Sequence, residues 1–483
     1  MKLATLVKCA VGAGVGLVTV MAAPATAWAA PAGAGVPCTQ QALVAAVNAA
    51  NAAGGGTINL TAGCDYALTS ADNGENGLPV VTTQIGVNGN GATIDGTGAV
   101  RVFEVDGPGG NLSAQNVTIT GGSAGIGGGI ENFGGTVTLN HSQVNGNTAA
   151  VAGGGIASAT FDPSSVAKLT LNNSAVTGNQ QTLGPQDQGL GGGGIANILG
   201  TVTLNSSQVS SNSAQGPFGG GIANGDYLNF SGQTSLLTLN GSQVDNNTAP
   251  NAGGGGIQNL LGTATLNSSQ VDGNTSLNGG GIASGNGNGG APPGTAQLVL
   301  SKSQVDGNTA TAPPGAGGPP IAAGGIANGS NAVLNSTQVD NNTASHTSGA
   351  GIVNHGTMTL NKSEVNGNTA AGAGVLASGG GIISAQGPPG TVPTTLTLNN
   401  SVVSGNRAGG DGGGIANGIP LPGPMPLPGG TLTLNSSQVT GNTAASGGGI
   451  FNNGGTVTLA KSSVTGNTPD NCAPPGTVPG CTG

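Results

Sequence analysis

One phrase returns eleven times along this chain of 483 residues, and it limits what the chain can fold into. Each copy has a glycine run that closes on isoleucine and continues as T-x-T-L-N-x-S-x-V-x-G-N-T; residues 127–149 (GGGIENFGGTVTLNHSQVNGNTA) are the clearest copy. The shortest intervals between isoleucines are 25 to 27 residues, as from Ile257 to Ile282. A β-type phrase repeated at this period predicts a solenoid. The isoleucines are Ile130, Ile156, Ile195, Ile222, Ile257, Ile282, Ile326, Ile352, Ile382, Ile415 and Ile450.

Each copy alternates apolar with polar residues, as short β-strands with one buried face do. In residues 136–139 (TVTL) the valine and leucine point inward and both threonines point outward, while Ser142 and Val144 point inward in the next stretch. One copy therefore predicts one coil of three short strands. We expect an all-β chain folded as a single right-handed parallel β-helix of about 13–14 coils, because residues 80–122 add about two irregular coils.

The turn that ends each copy carries an asparagine, preceded by Gly, Asn or Ser. These preceding residues are mostly types that tolerate a left-handed backbone. Amides stacked above one another bond their neighbours and so satisfy buried polar groups. We interpret the column as an inward Asn ladder with a structural role. Its members are Asn147, Asn179, Asn212, Asn247, Asn274, Asn308, Asn342, Asn368, Asn406, Asn442 and Asn467.

The composition favours stacked coils over a conventional core. Aromatic residues make up 2% of the chain, and 98 residues are glycine. Glycine inside regular elements costs roughly 0.5–1 kcal/mol relative to alanine, so stability has to come from inward Ile, Leu and Val that stack on their own copies. A disordered chain would not keep these residues in phase.

The first part of the chain predicts an export signal and a cap. Residues 1–29 carry two early lysines, an apolar run and small residues at their end, which predicts a cleaved signal peptide and a secreted, extracellular or surface-associated protein. In the N-terminal segment 30–56, residues 39–53 place apolar side chains at helical spacing after a threonine. We expect a capping helix there, covering the open end of the β-helix at 57–468.

Four cysteines remain once the signal is removed. An even number in an oxidising compartment predicts disulfide bonds. We expect one bond from Cys38 to Cys64 near the start, and one from Cys472 to Cys481 within the Pro/Gly-rich C-terminal tail, residues 469–483.

The coil phrase resembles the repeats of known secreted proteins. The chain is similar to the right-handed parallel β-helix proteins of the pectin-lyase-like superfold, and the glycine run with isoleucine followed by T-L-N-x-S is similar to the repeats of the bacterial polymorphic outer membrane proteins. The resemblance covers about residues 38–470. It implies the fold and a place at the cell surface. It does not imply one activity, because the superfold includes lyases, hydrolases and adhesins.

Residues suited to catalysis are few. A lyase or hydrolase of this superfold needs clustered carboxylates with a basic residue, or two carboxylates at one bond. Asp95, Arg101, Glu104 and Asp106 form the best local group. Asp95 and Asp106 each precede a glycine, as turn residues often do. We favour this interpretation over a catalytic role. We assign no catalytic, cofactor-binding or metal-ligating residue and expect no cofactor.

Basic residues and histidines form no motif in the sequence. The cations beyond the signal are scattered: Arg101, Lys168, Lys302, Lys362, Arg407 and Lys461. The histidines His141, His346 and His355 occupy unrelated positions of the repeat and are interpreted as facing solvent. Acidic residues outnumber basic ones 17 to 8, which argues against nucleic acid as a partner.

One outward row of aspartates, with a glutamine row beside it, is a candidate binding surface. Carboxylates about 4.8 Å apart disfavour one another, and a bound cation or the hydroxyl groups of a sugar would relieve them. The same position also suits ordinary turn residues. The Asp row comprises Asp245, Asp272, Asp306 and Asp340, and the Gln row beside it comprises Gln208, Gln243, Gln270, Gln304 and Gln338.

Outward threonines form a further pattern. Paired T-x-T columns resemble those of ice-binding β-solenoids, although threonine is also simply a good strand residue. Lys168, Leu236 and two pairs without threonine interrupt the columns. The pairs are Thr136/Thr138, Thr201/Thr203, Thr263/Thr265, Thr357/Thr359, Thr395/Thr397, Thr431/Thr433 and Thr456/Thr458.

Longer intervals precede five of the T-L-N strands. Because the coils are in register, these insertions should emerge from one corner and form a mobile ridge, which is either a binding surface or a tolerant site for insertions. They lie before Leu171, Leu239, Leu300, Leu398 and Leu434.

These patterns predict a monomeric, secreted or cell-surface β-helix without catalytic activity and without a membrane span in the mature chain. It would bind a polysaccharide or another cell-surface or matrix ligand, in adhesion. A polysaccharide lyase or hydrolase and an ice-binding protein are the alternatives.

Overall fold

The repeated phrases stack as coils of a right-handed parallel β-helix, as the sequence predicts. The computed structural model describes residues 35–160, 162, 165–183, 189–226, 234–285, 296–311, 321–345, 348–372, 377–387, 393–420 and 427–482. The predicted signal peptide lies outside these residues. Segment Gly35–Gly483 forms one compact unit.

A single helix in the described residues, α1 (Gln40–Ala52), packs on the first coils. The side chain of Thr39 caps it by accepting a backbone hydrogen bond, and Leu43 and Val47 are buried beneath it. The amide of Asn51 donates to a backbone carbonyl of the coil below, at 2.7 Å. The predicted capping helix is therefore confirmed.

The largest sheet has 26 strands and contains two kinds of strand from each regular coil. Fourteen successive strands correspond to the T-x-T-L-N phrase, so the β-helix has fourteen layers here: Gly55–Asn59, Gln84–Asp95, Asn111–Thr120, Thr136–Asn140, Lys168–Asn172, Thr201–Asn205, Leu236–Asn240, Thr263–Asn267, Gln297–Ser301, Asn331–Asn335, Thr357–Asn361, Thr395–Asn399, Thr431–Asn435 and Thr456–Ala460. The other twelve follow a sharp bend: Asp65–Ala67, Gln143–Asn145, Ala175–Thr177, Gln208–Ser210, Gln243–Asp245, Gln270–Asp272, Gln304–Asp306, Gln338–Asp340, Glu364–Asn366, Val402–Ser404, Gln438–Thr440 and Ser463–Thr465.

Two further sheets complete each coil. A 10-stranded sheet follows the asparagine turn: Ser123–Ile126, Thr148–Ala152, Gln180–Gln181, Ser213–Ala214, Thr248–Gly253, Thr275–Asn278, Thr309–Thr311, Thr343–Ser345, Thr369–Ala371 and Arg407–Ala408. A 14-stranded sheet carries the isoleucines, all fully buried: Phe103–Asp106, Ile130–Phe133, Ile156–Ala159, Ile195–Ile198, Ile222–Gly225, Ile257–Leu260, Ile282–Gly285, Ile326–Asn328, Ile352–Asn354, Ile382–Ser384, Ile415–Ile419, Leu427–Pro428, Ile450–Asn452 and Cys472–Ala473.

The predicted inward Asn ladder is present. Asn308 shows the pattern: its Nδ2 donates to Oδ1 of Asn342 in the next coil at 3.0 Å and to the backbone oxygen of Val271 at 2.8 Å. The same contact to the next coil recurs from Asn147 to Asn467. The residue before each Asn has positive φ, for example 55° at Asn246. The ladder therefore ties every regular coil to its neighbours.

The sequence analysis missed a second buried ladder, at the position two residues after the isoleucine. Nδ2 of Asn197 donates to Oδ1 of Asn224, and Nδ2 of Asn224 donates to Oδ1 of Asn259, both at 2.7 Å. The available signal was the recurrence of I-x-N. It recurs at Asn132, Asn197, Asn224, Asn259, Asn328, Asn354, Asn417 and Asn452.

Both predicted disulfide bonds are present, Cys38–Cys64 and Cys472–Cys481. The second belongs to a tail that packs on the last coil: Val478 is buried, and Nδ2 of Asn452 donates to the backbone oxygen of Thr477 at 2.9 Å. The tail thus contacts the apolar core at its C-terminal end.

Candidate functional site

A bend between two strands of the largest sheet shapes one flank of the β-helix. The residue at the bend has positive φ in successive coils, from 47° to 54° at Ser206, Gly241, Ser268, Lys302 and Ser336. The next residue, a serine or threonine in the regular coils, turns inward and is largely buried. The outward side chains before and after the bend therefore separate, and a groove lies between them.

An outward Asn ladder runs along one side of this bend. Asn172, Asn205, Asn240 and Asn267 are half-buried, and each donates from Nδ2 to Oδ1 of the Asn in the preceding coil at 2.8–2.9 Å. Ser301 interrupts the ladder. The T-L-N phrase thus has an outward amide column that the sequence analysis did not identify.

Glutamines form a second amide ladder on the other side of the bend. Nε2 of Gln243 donates to Oε1 of Gln270 at 2.8 Å, and the same contact joins Gln270 to Gln304 and Gln304 to Gln338 at 2.9 Å. We call Gln243, Gln270, Gln304 and Gln338 the Gln ladder. Gln208 belongs to the predicted row but turns towards Asp245 instead, at 3.4 Å.

The groove beside the Gln ladder has two connected parts. The larger measures about 410 Å³ and the smaller about 340 Å³, and both include Gly241 and Gln243 in their lining. The lining of the larger part is Gly241, Ser242, Gln243, Ser268, Ser269, Gln270, Lys302, Ser303, Gln304, Ser336 and Gln338. It is polar, and Lys302 is its single charged residue.

The Asp row lies beyond the Gln ladder, with its members directly opposite one another in successive coils. Burial, with a smaller contribution from the charge of Asp245, raises the pKa of Asp272 from 3.8 to about 6. Burial also raises the pKa of Asp340 to about 6. Backbone N–H groups of the next coil donate to Oδ1 of both residues, at 3.2 and 3.1 Å. These bonds hold the row at the sheet surface.

Two members of the predicted group, Arg101 and Glu104, belong to a larger cluster of ion pairs and hydrogen bonds. Arg101 is 5% exposed, and its guanidinium contacts Glu75 at 3.4 Å, Glu104 at 3.0 Å and Glu131 at 2.6 Å. It also donates to Asn76 and to two backbone carbonyls. We call Arg101, Glu75, Asn76, Glu104 and Glu131 the Arg101 cluster. The sequence analysis missed Glu75, Asn76 and Glu131.

Burial dominates the protonation of Glu131 in the Arg101 cluster. It raises the pKa of Glu131 from 4.5 to about 7, and the nearby Arg101 lowers it by less than burial raises it. The charge of Glu104, directly opposite in the preceding coil, adds to the rise. Glu131 is therefore a carboxyl group that titrates near neutral pH.

Neither of the two predicted turn aspartates, Asp95 and Asp106, belongs to the Arg101 cluster. Asp95 ends its strand and accepts a hydrogen bond from the backbone N–H of Thr97 at 2.7 Å, as a turn residue does. Asp106 also ends its strand, before Gly107 at φ 68°, and its charge reaches Glu131. The turn interpretation fits both residues.

The histidines and lysines are less scattered in space than in sequence. His141, Lys302, Lys362 and Lys461 all occupy the bend position, with φ from 49° to 53°. His355 is only partly exposed, contrary to the solvent-facing position predicted for it: its Nδ1 lies 2.9 Å from the backbone oxygen of Ala385, and burial lowers its pKa. His346 lies outside the described residues.

The threonine columns are in register as predicted. Thr138, Thr170, Thr203, Thr238 and Thr265 are direct neighbours in five successive coils. Val299 and Val333 then interrupt the column. The five predicted insertions fall largely outside the part of the chain that the structure describes, so the ridge hypothesis stays a prediction.

Comparisons with known proteins give no relative for this chain: no protein-family model, no curated protein and no solved structure matches it. Among the described residues, no group of three or more His, Cys, Asp or Glu side chains is arranged to hold a metal ion. The described part of the chain also has no helix long and apolar enough to cross a membrane.

The raised pKa values predict a chain that is more stable in mild acid than at neutral pH. Asp272, Asp340 and Glu131 bind a proton more tightly in the folded state than in the unfolded state. Their contribution to the free energy of unfolding is therefore complete below about pH 4 and is lost as the pH rises through about 6 to 7. Calorimetry should show a thermal midpoint that falls from about pH 4.5 to about pH 8.

Variants separate these groups from the other carboxylates. The fall should become smaller after Asp272→Asn, Asp340→Asn and Glu131→Gln are combined, and part of it should remain because burial also raises the pKa of Asp245 and of Asp411. It should persist after Asp65→Asn, which removes an exposed carboxylate outside the Asp row. A midpoint that rises with pH in the unaltered protein would contradict the assignment.

Proposed function

We propose that this chain is a secreted or cell-surface β-helix that binds a glycan or another extended ligand without catalysis, in an adhesive role. The groove beside the Gln ladder is the observation that carries the proposal. The groove is concave and polar, and its lining includes amides that their own hydrogen bonds hold in fixed register. Prepositioned polar groups of this kind lose little freedom when a ligand binds.

The proposed location rests on separate features. Two disulfide bonds are typical of an oxidising compartment. The predicted signal peptide and the resemblance to repeats of polymorphic outer membrane proteins support export to the cell surface. An elongated β-helix would present its flank over fourteen layers to a ligand outside the cell.

If the protein were a lyase or hydrolase, the Arg101 cluster would be its candidate active site, because burial raises the pKa of Glu131 to about 7 there. However, Arg101 is buried, and it donates to carboxylates, to an amide and to backbone carbonyls in separate segments. A guanidinium engaged in this way serves as a structural link. This arrangement argues against catalysis at the Arg101 cluster.

A binding array with the purified mature protein tests the proposal. We expect retention on at least one class of polysaccharide or matrix component, with the chain length of the retained polymer unchanged after prolonged incubation. Shortening of the polymer by the unaltered protein would instead support the enzyme alternative. Absence of binding to every glycan and matrix component would reject the proposal.

Ice binding is a second candidate, favoured by the register of the threonine columns over five successive coils. Outward threonines on a flat sheet present hydroxyl and methyl groups at fixed spacing. Thermal hysteresis of the purified protein measures this activity. We expect no thermal hysteresis if the groove is the functional surface. If the threonine face is the functional surface, we expect thermal hysteresis that Thr203→Lys abolishes.

A further inference from the structure

The shape of the groove selects a long, narrow ligand. Its two parts share Gly241 and Gln243, and together their linings extend from Asn173 to Gln338. The strands that border it are parallel and stacked in register, so the groove follows the axis of the β-helix across the strands. A linear polymer laid along this axis would meet the same surface at every coil.

The Gln ladder offers that polymer a repeating set of hydrogen-bonding groups. Gln270 and Gln304 each donate one N–H to the next coil and accept one bond from the preceding coil. A primary amide has two N–H groups and two acceptor sites, so one of each remains for a ligand. These groups recur at about 4.8 Å, the spacing of neighbouring strands.

Charges around the groove disfavour an acidic polymer, and the groove lining offers a basic polymer no carboxylate partner. Four carboxylates of the Asp row stand two residues beyond the Gln ladder on the same outward face. They would repel a polyanion. A polycation would meet Lys302 within the groove itself. One oxygen of each of Asp272, Asp306 and Asp340 already accepts a hydrogen bond from the protein.

The lining of the groove contains no aromatic side chain. A sugar would therefore be held by hydrogen bonds, each worth only about 0.5–1.5 kcal/mol net. Useful affinity requires many such contacts made together along one chain. This requirement again favours a polymer over a single sugar.

We infer that the groove binds an uncharged linear polysaccharide that lies parallel to the β-helix axis and contacts the Gln ladder through its hydroxyl groups. This inference rests on the binding function proposed above and specifies its ligand. Affinity should increase with the length of the polysaccharide until the chain spans the Gln ladder.

Titration calorimetry with neutral β-glucan oligosaccharides of increasing length tests the inference, with polygalacturonate and chitosan as acidic and basic polymers. We expect the tightest binding for the longest neutral chains. The double variant Gln270→Ala/Gln304→Ala should weaken that binding by about tenfold or more. Both side chains reach solvent, so the fold should persist, which circular dichroism checks.

The repeat supplies matched controls. Gln143 and Gln438 hold the same outward strand position, but their neighbours are Ala175, Val402 and Ser463, so they belong to no ladder. Gln143→Ala/Gln438→Ala should leave affinity unchanged. An equal loss of affinity in both double variants overturns the inference. Binding of the neutral polysaccharide that Gln270→Ala/Gln304→Ala does not weaken also overturns it.

The remaining outcomes separate this inference from the function on which it rests. Binding of polygalacturonate or chitosan in preference to neutral glucan overturns the choice of an uncharged ligand and leaves the proposed glycan-binding function standing. Failure to bind any of the three polymers overturns the inference, and the wider binding array then decides the proposed function.

Discussion

Replacing Arg101 with methionine should lower the free energy of unfolding by about 3–5 kcal/mol at neutral pH, because it leaves the carboxylates of the Arg101 cluster without their cation. Arg101 is 5% exposed and joins Glu75, Glu104 and Glu131 to backbone carbonyls of a neighbouring coil. Urea denaturation followed by circular dichroism measures the loss.

Two comparisons test the cause of that loss. Lys168→Met removes an exposed cation from the T-x-T-L-N strands and should cost less than about 1 kcal/mol. Adding Glu131→Gln to Arg101→Met should recover part of the stability, since one buried carboxylate is removed. Equal costs for the arginine and lysine variants would show that the Arg101 cluster does not stabilise the first coils.

Replacing Asn308 with alanine should cost about 3 kcal/mol or more, since each buried polar group left unpaired costs about 1–3 kcal/mol. Oδ1 of Asn308 accepts from the backbone N–H and from Nδ2 of Asn274, at 2.9 and 3.0 Å. Its Nδ2 donates to the backbone oxygen of Val271 at 2.8 Å. Thermal unfolding of the purified variant gives the cost.

The outward Asn ladder supplies the control for this prediction. Asn267 also bonds an asparagine of the neighbouring coil, at 2.9 Å, but it is only half-buried. Water can replace its partner, so Asn267→Ala should cost about 1 kcal/mol or less. If Asn267→Ala proves as costly as Asn308→Ala, burial is not what makes the inward ladder stabilising.

The fold was predictable because every regular coil repeats the same pattern of residue types. A column such as the inward Asn ladder is visible in the sequence as a residue type at a fixed position, and its bonds follow from register. The I-x-N column had an equally regular signal. It lies in strands such as Ile195–Ile198 that are buried at every position, where alternation of apolar and polar residues does not mark the inward face.

The candidate site was only partly predictable. The Gln and Asp rows follow from the repeat, but the groove depends on positive φ at the bend, where Gly, Ser, Asn, Lys and His alternate without an obvious rule. All of the Arg101 cluster except Glu131 precedes the regular repeat. Glu75 approaches Arg101 from a segment 26 residues away, outside any repeat, so no periodic pattern places it there.

Hydrogen exchange of the purified protein with and without a bound neutral β-glucan locates the surface that contacts the polysaccharide. We expect new protection of backbone amides to be confined to the strands and bends that line the groove, from Asn173 to Gln338. Protection centred on the Arg101 cluster or on the threonine columns, with the groove unchanged, would contradict this expectation.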